Sequence, residues 1–312
     1  MTDVSLPASI RSGSGPLVSV IVPTYGDAAY LDGAIESIAA QRHDNLEIVL
    51  VDGSGVEWLA RLGADVEGVT YLHQEPRGLA AARNRGLDAA SGELVAFLDA
   101  DDRWHPAKLD RQLAAIDAGA DVVYSDAYVL EGTKRRYHTS LPVCDPERHH
   151  VDFLLEGGVP VPTVIARREC FAAERFEESL PAVEDRHLLA RLFGLYRPAR
   201  IPEPLAYYRR RAGSMSSDAE LMYESELASL ADLFERFPAL GAHRGALKRR
   251  AEYAYGKRLL RTGRAAAARR VLLDVLRERP EHRALALFGV SLLPAGHRRA
   301  LGILESAQER FG

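Results

Sequence analysis

The sequence predicts an α/β protein, built on a mostly parallel sheet flanked by helices and followed by a small all-α region. Apolar runs at residues 17–23, 46–51, 69–72, 94–98 and 121–124 alternate with stretches of helical spacing through the first 130 residues. These runs are nearly continuous and rich in Val and Ile, as strands covered on both faces are. From residue 218 onward the strand-like runs stop, and helix-length segments are punctuated by Thr262-Gly263 and by Pro280.

The first run, 17–23, is bounded by prolines and opens into a loop of Thr24, Tyr25, Gly26 and Asp27. Residues 30–41 place Leu31, Ile35 and Ile38 on one helical face. The run 46–51 closes on Asp52-Gly53-Ser54-Gly55, so strand, helix and strand imply a right-handed crossover and a parallel pair. After 69–72, the Ala-rich segment 78–90 reads as a helix packed closely on the sheet. Residues 94–98 form a buried strand that delivers Asp99, Asp101 and Asp102 at its carboxyl end, where open α/β sheets hold their ligands. Three carboxylates there need water, donors or a divalent cation. The alternative is a solvated turn leading into the next helix, 106–118.

Beyond Tyr128 the alternation lapses. Residues 141–156 read as a polar, solvated loop, with a second metal site at His149, His150 and Asp152 as the lesser expectation. Residues 159–166 read as an extended segment whose prolines favour a sheet edge near the cleft. At 180–192 an acidic pair, Glu184 and Asp185, opens an amphipathic helix, where carboxylates also complement a helix amino terminus. The segments 247–261, 264–279 and 281–292 read as helices.

Composition narrows the function classes. Cys144 and Cys170 supply no disulfide framework and no zinc spacing, and read as free thiols of a reducing compartment. Residues 1–16 read as a loose tail with no signal-peptide core, and no run reaches the roughly 18 apolar residues of a membrane span. A cytoplasmic protein is expected. The net charge of −4 conceals a split: from Arg244 onward 16 Lys and Arg face 6 Asp and Glu, whereas the rest of the chain holds 24 against 38. A basic tail on an acidic body points to an anionic partner surface. Aromatic platforms are not interleaved with these charges, so nucleic acid is not the expected partner.

Nucleotide recognition here lacks the Gly-rich dinucleotide fingerprint, since Gly53-Ser54-Gly55 has no third glycine. Asp52 could instead accept from the imide N–H of uracil or thymine with Tyr25 against the base, or serve only its own turn.

The segments Val-Ser-Val-Ile-Val-Pro-Thr-Tyr (18–25), Asp-Gly-Ser (52–54), Ala-Arg-Asn-Arg-Gly (82–86) and Gly-Glu-Leu-Val-Ala-Phe-Leu-Asp-Ala-Asp-Asp-Arg-Trp (92–104) together resemble the inverting, metal-dependent glycosyltransferases of family 2, which have the Rossmann-like GT-A fold. The resemblance runs in order from about Val18 to Ser216. It implies that Pro23, Thr24 and Tyr25 line a base pocket and that Asp52 takes the base. Asp99 would lie towards the ribose and, with Asp101, at a Mn²⁺ or Mg²⁺ ion bridged to the diphosphate. Arg83 and Asn84 would sit beside that motif. Asp185, preceded by Glu184, matches the family's catalytic base. Many relatives carry a His near Arg210 or Arg211; arginine there can meet a diphosphate but cannot ligate a metal. Gly26 where relatives often carry Asn, and a shortened acidic turn after Val51, are further departures.

The reading implies a catalytic domain at 17–217 and a basic helical region at 218–312. Tyr253, Tyr255, Leu260, Ala267, Val271 and Leu276 resemble one tetratricopeptide-type hairpin, which would pack on the catalytic domain or on a second chain. The arginines at 249, 250, 258, 261, 264, 269 and 270 would alternatively favour a peripheral position at the inner face of a membrane. The expected donor is a nucleoside-diphosphate sugar, UDP favoured, and the acceptor a glycan or lipid-linked saccharide. Two alternatives remain open: a sugar-nucleotide nucleotidyltransferase, which would carry a basic Gly-rich loop after its first strand, and an inactive nucleotide-sugar-binding scaffold.

Overall fold

Strands that are apolar at nearly every position can only be satisfied inside a layered sheet, and the computed structural model has that arrangement. The structure describes residues 10, 13–25, 28–55, 59–60, 66–140, 148–211, 215–293, 300–302 and 304. Gly26, Asp27, Cys144 and the remainder of 141–147 lie outside the described residues. The chain divides into two units, Met1–Arg211 and Ala212–Gly312.

In the first unit, β1 (Val18–Thr24), β2 (Leu46–Asp52), β3 (Val69–His73) and β4 (Leu94–Phe97) lie parallel in the order β3-β2-β1-β4. Helices α1 (Ala28–Ala39) and α2 (Leu79–Ala89) belong to the crossovers between them. Register places Thr24 opposite Asp52 and Ile21 opposite Phe97, so the carboxyl ends of β1, β2 and β4 share one rim. Next come β5 (Arg103–Trp104) and α3 (Lys108–Asp117), then β6 (Val122–Glu131) and β7 (Lys134–His138), which form a hairpin. Helix α4 (His149–Glu156), β8 (Ile165–Arg167), α5 (Cys170–Ala173), α6 (Glu184–Leu195) and β9 (Pro198–Arg209) complete the unit. The sheet continues β4-β8-β6-β9-β5, with β8 antiparallel to both neighbours and β9 parallel to β6.

One polar side chain interrupts the apolar run of β2. Glu47 is buried, and it accepts from Ser19 Oγ at 2.5 Å, Ser91 N at 2.6 Å, Ser91 Oγ at 2.7 Å and Gly92 N at 3.1 Å. A buried carboxylate is tolerated when its lone pairs are met, and this one ties β1, β2 and the start of β4 together at the rim opposite the acidic turn.

Two sequence expectations are corrected. Residues 159–166 do not form a sheet edge: Val161–Thr163 is a 3₁₀ turn, and β8 lies in the middle of the sheet between β4 and β6. The prolines belong to the turn, where Trp104 Nε1 donates to Pro162 O at 2.8 Å and Gln112 Nε2 to Thr163 O at 2.7 Å, while β8 itself contains none. Within 141–156, residues 149–156 form a helix that buries His149, Val151, Phe153 and Leu154. His149 Nε2 lies 2.9 Å from Tyr124 Oη, its ring packs edge-on against Phe193, and burial holds its pKa down at about 4. This histidine is a core residue. No metal-holding group of three His, Cys, Asp or Glu occurs among the described residues.

The second unit contains α7 (Ala219–Arg236), a 3₁₀ segment Pro238–His243, α8 (Arg244–Arg261), α9 (Ala265–Glu278) and α10 (His282–Ser291). The last three match the helices expected from sequence. Helix α7 was not anticipated, although Asp218 caps it by accepting from Leu221 N at 3.0 Å. Leu259, Leu260, Ala268, Leu272 and Leu287 form its core. Much of the basic stretch meets acids within the unit: Arg250 pairs with Glu226, Arg264 with Glu220 and Arg249 with Glu281. No helix among the described residues is long and apolar enough to cross a membrane.

Gly86 sets how closely α2 approaches the sheet, because a Cβ there would lie 2.4 Å from Ile21 Cγ2. Alanine is the better helix former by about 1 kcal/mol, but overpacking costs about 1–3 kcal/mol. Gly86→Ala is therefore expected to lower the unfolding free energy in a denaturant titration, whereas a gain would mean that α2 has room to move away.

Candidate active site

The site is built around Arg83, which α2 directs into the sheet rim. Its side chain is 1% exposed. Nη2 lies 2.7 Å from Asp99 Oδ1 and Nη1 lies 2.7 Å from Glu184 Oε1, so one guanidinium joins the turn after β4 to the first residue of α6. Only arginine offers two forked donors to two carboxylates at once. Burial works to lower its pKa, but Asp99, Glu184 and Asp185 outweigh it and hold the group charged. Phe176 lies under the guanidinium, 5.3 Å from ring centroid to Cζ.

The acidic turn distributes its carboxylates among different donors. Asp102 N donates to Asp99 O at 2.9 Å, which closes the turn. Asp99 faces Arg83, and Asp101 Oδ2 lies 2.7 Å from Arg211 Nε. Asp102 is fully buried; its Oδ1 accepts from Arg209 N at 2.7 Å, and its Oδ2 has no hydrogen-bond partner. Burial, then Asp99, raises the Asp102 pKa well above the usual carboxylate range, which favours its neutral form. Burial and Asp99 also raise Asp101, against the pull of Arg211. Arg209 Nε donates to Asp101 O at 3.0 Å, and the Arg209 and Arg211 guanidiniums lie 4.7 and 5.5 Å from the Tyr30 ring centroid.

At the start of α6, Val183 adopts φ 58° and ψ 18°. A β-branched residue in the left-handed region costs on the order of 1–3 kcal/mol, and such strain persists only where the surroundings enforce it. Here the Arg83–Glu184 pair and the burial of Val183 enforce it. The next residues, Glu184 and Asp185, are thereby turned toward the acidic turn. Burial, then Asp185, raises the Glu184 pKa against Arg83. Asp185 is likewise raised by burial, with Arg83 opposing, and its Oδ1 accepts from Arg186 N at 2.6 Å.

At the other end of the rim, Pro23 and Thr24 are buried and Tyr25 is 67% exposed. A Cβ on Gly53 would lie 2.9 Å from the Tyr25 ring, so a glycine there lets the tyrosine lie over the Asp52 loop. Asp52 is fully buried and accepts from Ser54 N at 2.8 Å, Ser54 Oγ at 2.6 Å, Gly55 N at 2.9 Å and Tyr71 Oη at 3.1 Å. In this state its carboxylate serves its own turn.

Not every residue expected at the motif reaches it. Asn84 makes its bonds outside the acidic turn, donating to Phe176 O at 2.9 Å and Glu178 Oε1 at 3.0 Å and accepting from Phe176 N. On a helix, adjacent residues point about 100° apart, and here Arg83 meets Asp99 and Glu184 while Asn84 meets Phe176 and Glu178. Asn84 acts instead on the segment that carries Phe176. Arg210 pairs with Glu131 at 3.5 Å, and of the two arginines Arg211 meets the acidic turn. Sequence reading placed Asp102 in the acidic turn without a role of its own, and missed Arg209, Tyr30, Tyr71, Phe176 and Val183. The run of three arginines at 209–211 beside three aspartates was an available signal for Arg209.

Asp99 and Asp101 are hard oxygen donors suited to a small divalent cation, and Arg211 places positive charge against Asp101 already. Two carboxylates leave most of a six-coordinate shell to be filled by substrate oxygens and water. The donor set fits a cation whose coordination a diphosphate completes, as Mg²⁺ at phosphate sites usually is.

Comparison with known proteins agrees with this architecture. The family described as Glycosyl transferase family 2 matches residues 19–174, half of the chain. The chain is 28% identical over 229 residues to the putative glycosyltransferase EpsH of Bacillus subtilis (strain 168), covering 68% of this chain and 67% of EpsH. It is 28% identical over 224 residues to the amylovoran biosynthesis glycosyltransferase AmsB of Erwinia amylovora, covering 66% of this chain and 74% of AmsB. In fold it is similar to S. aureus TarS 1-349 in complex with UDP-GlcNAc, with a TM-score of 0.56 at 20% identity over 93% of this chain and 92% of that one. It is also similar to the mannosyltransferase PcManGT from Pyrobaculum calidifontis in complex with GDP-Man and Mn²⁺, with a TM-score of 0.55 at 18% identity over 96% and 88%. A mostly parallel sheet with an acidic turn at its carboxyl rim, a family match over half the sequence and GT-A neighbours place the chain in glycosyltransferase family 2, as a glycosyltransferase of the GT-A fold.

Proposed function

We propose that the enzyme is a divalent-cation-dependent, inverting glycosyltransferase that moves a sugar from a nucleoside diphosphate, UDP favoured, to a hydroxyl of a growing polysaccharide or lipid-linked glycan. The observation that carries this reading is the single guanidinium of Arg83 held at 2.7 Å by both Asp99 and Glu184. It brings a donor-binding turn and a helix bearing a candidate base to one place. Support for the substrate class comes from the UDP-GlcNAc, GDP-Man and Mn²⁺ bound by similar folds, and from the polysaccharide named for AmsB.

Pro23, Thr24, Tyr25 and Asp52 would receive the base, Asp52 by exchanging one of its turn donors for the base N–H. Asp99 and Asp101 would hold Mn²⁺ or Mg²⁺, which supplies Lewis-acid stabilisation to the departing diphosphate. Arg211 can add forked donors to the same oxygens. The acceptor oxygen attacks the anomeric carbon from the face opposite the diphosphate and loses its proton to Asp185. The anomeric C–O bond breaks with its electron pair passing to the diphosphate, and the configuration inverts. Glu184, fixed on Arg83, orients Asp185 and is a positioning residue. The basic helices of the second unit would suit a peripheral site on an anionic inner-membrane surface, where lipid-linked acceptors reside.

Asp185→Asn keeps the shape of the side chain and removes the base. Turnover is expected to fall on the order of 10²–10⁴-fold while calorimetric affinity for the nucleotide stays within about twofold; full activity would overturn the assignment. Calorimetry with UDP, GDP and dTDP in the presence of Mn²⁺ is expected to favour the pyrimidines, and a preference for GDP would remove the role given to Asp52.

Because burial raises the Asp185 pKa, its base form is lost at a higher pH than for a solvent-exposed aspartate. The acid limb of the kcat–pH profile is therefore expected above the ordinary value of about 3.9, with activity falling as pH drops through it. A limb at or below that value would mean that another group titrates.

A further inference from the structure

Both carboxylates that would hold the cation are committed to arginines, but the two arginines are not equivalent. Arg83 is buried and shared between Asp99 and Glu184, so moving it would strand the buried Glu184 carboxylate and unpair Asp99 as well. Arg211 meets Asp101 through Nε at 2.7 Å, and its side chain is 35% exposed against 1% for Arg83. It stands just past the end of β9, and its guanidinium already lies 5.5 Å from the centroid of Tyr30. The turn itself does not depend on Arg211, since Arg209 holds the Asp101 carbonyl and the Asp102 carboxylate through other contacts.

A dication and a guanidinium cannot both sit against Asp101 Oδ2 without strong repulsion at close range. A diphosphate offers Arg211 a better acceptor than one carboxylate oxygen, because its oxygens match the forked donors. We propose that Arg211 is an exchangeable counter-ion. It neutralises Asp101 in the free enzyme, gives that carboxylate up to the divalent cation, and transfers to the diphosphate of the arriving nucleotide. This deepens the function proposed above and rests on it. The consequence is linkage: the cation binds the free enzyme weakly, nucleotide binding releases Asp101 for it, and each ligand strengthens the other by the same factor. A histidine at this place would ligate the metal; this chain's arginine instead competes with it and then binds the diphosphate. Arg210, which pairs with Glu131, takes no part.

The test is a titration with Mn²⁺, followed by the electron paramagnetic resonance signal of the unbound ion, with and without UDP. It compares the wild-type protein with Arg211→Met, Arg211→Gln and Arg210→Met, and a thermal melt shows that each variant is folded. Without nucleotide, both Arg211 variants are expected to bind Mn²⁺ about tenfold more tightly than wild type, within the usual range of coupling between sites, and Arg210→Met is expected to match wild type. The enhancement of Mn²⁺ affinity by UDP is expected to shrink in the Arg211 variants. Equal Mn²⁺ affinity in wild type and the Arg211 variants would overturn the exchange. So would an equal gain in Arg210→Met, which would reveal only a general effect of net charge. If no form binds Mn²⁺ even with UDP, the cation reading of the site fails and the exchange fails with it.

Discussion

The ion pair that Arg83 makes with both Asp99 and Glu184 is the constraint on which the site depends. Charges buried this deeply persist only when paired, and removing one partner of such a set typically costs about 3–5 kcal/mol. Three acids and one arginine leave the cluster of Asp99, Glu184, Asp185 and Arg83 net negative when all are ionised. The chain limits that excess by raising the pKa values of Glu184 and Asp185 through burial. On the proposed function, the same excess of negative charge would suit a cation and the proton of an acceptor hydroxyl.

Position follows from the sheet. Parallel strands bring their carboxyl ends to one rim, so the ends of β1, β2 and β4 lie side by side beneath the candidate site. The antiparallel insertion of β8 and the parallel return of β9 beside β6 bring Arg209 back against the turn, closing the site from the far side. Val183 supplies the remaining element, since its left-handed backbone turns the chain into α6 and presents Glu184 to Arg83.

Legibility in the sequence tracked how local each signal is. Strands β1, β2 and β4 were readable because burial on both faces leaves a near-continuous apolar run, and the acidic turn was readable because it follows one directly. Residues 159–166 are misplaced by their prolines, which favour a sheet edge by pattern but belong to a turn held by Trp104 and Gln112. The helix at 149–156 was missed because His149 reads as polar until Tyr124 and Phe193 surround it. Asn84, expected beside the motif from the resemblance, reaches it only through Phe176, whose backbone it holds and whose ring lies against Arg83, a contact no local pattern reveals. The pairing of Arg250 and Arg264 could not be read from residue 244 onward, because their partners Glu226 and Glu220 lie upstream.

If Arg83 organises the site, Asp99 and Glu184 are energetically joined through its one guanidinium. A double-mutant cycle on unfolding free energy, with Asp99→Asn, Glu184→Gln and the double variant, measures that directly and needs no substrate. A coupling energy above about 1 kcal/mol is expected, as found for residues in one ion-pair network. Additivity within about 0.5 kcal/mol, the behaviour of independent sites, would contradict it.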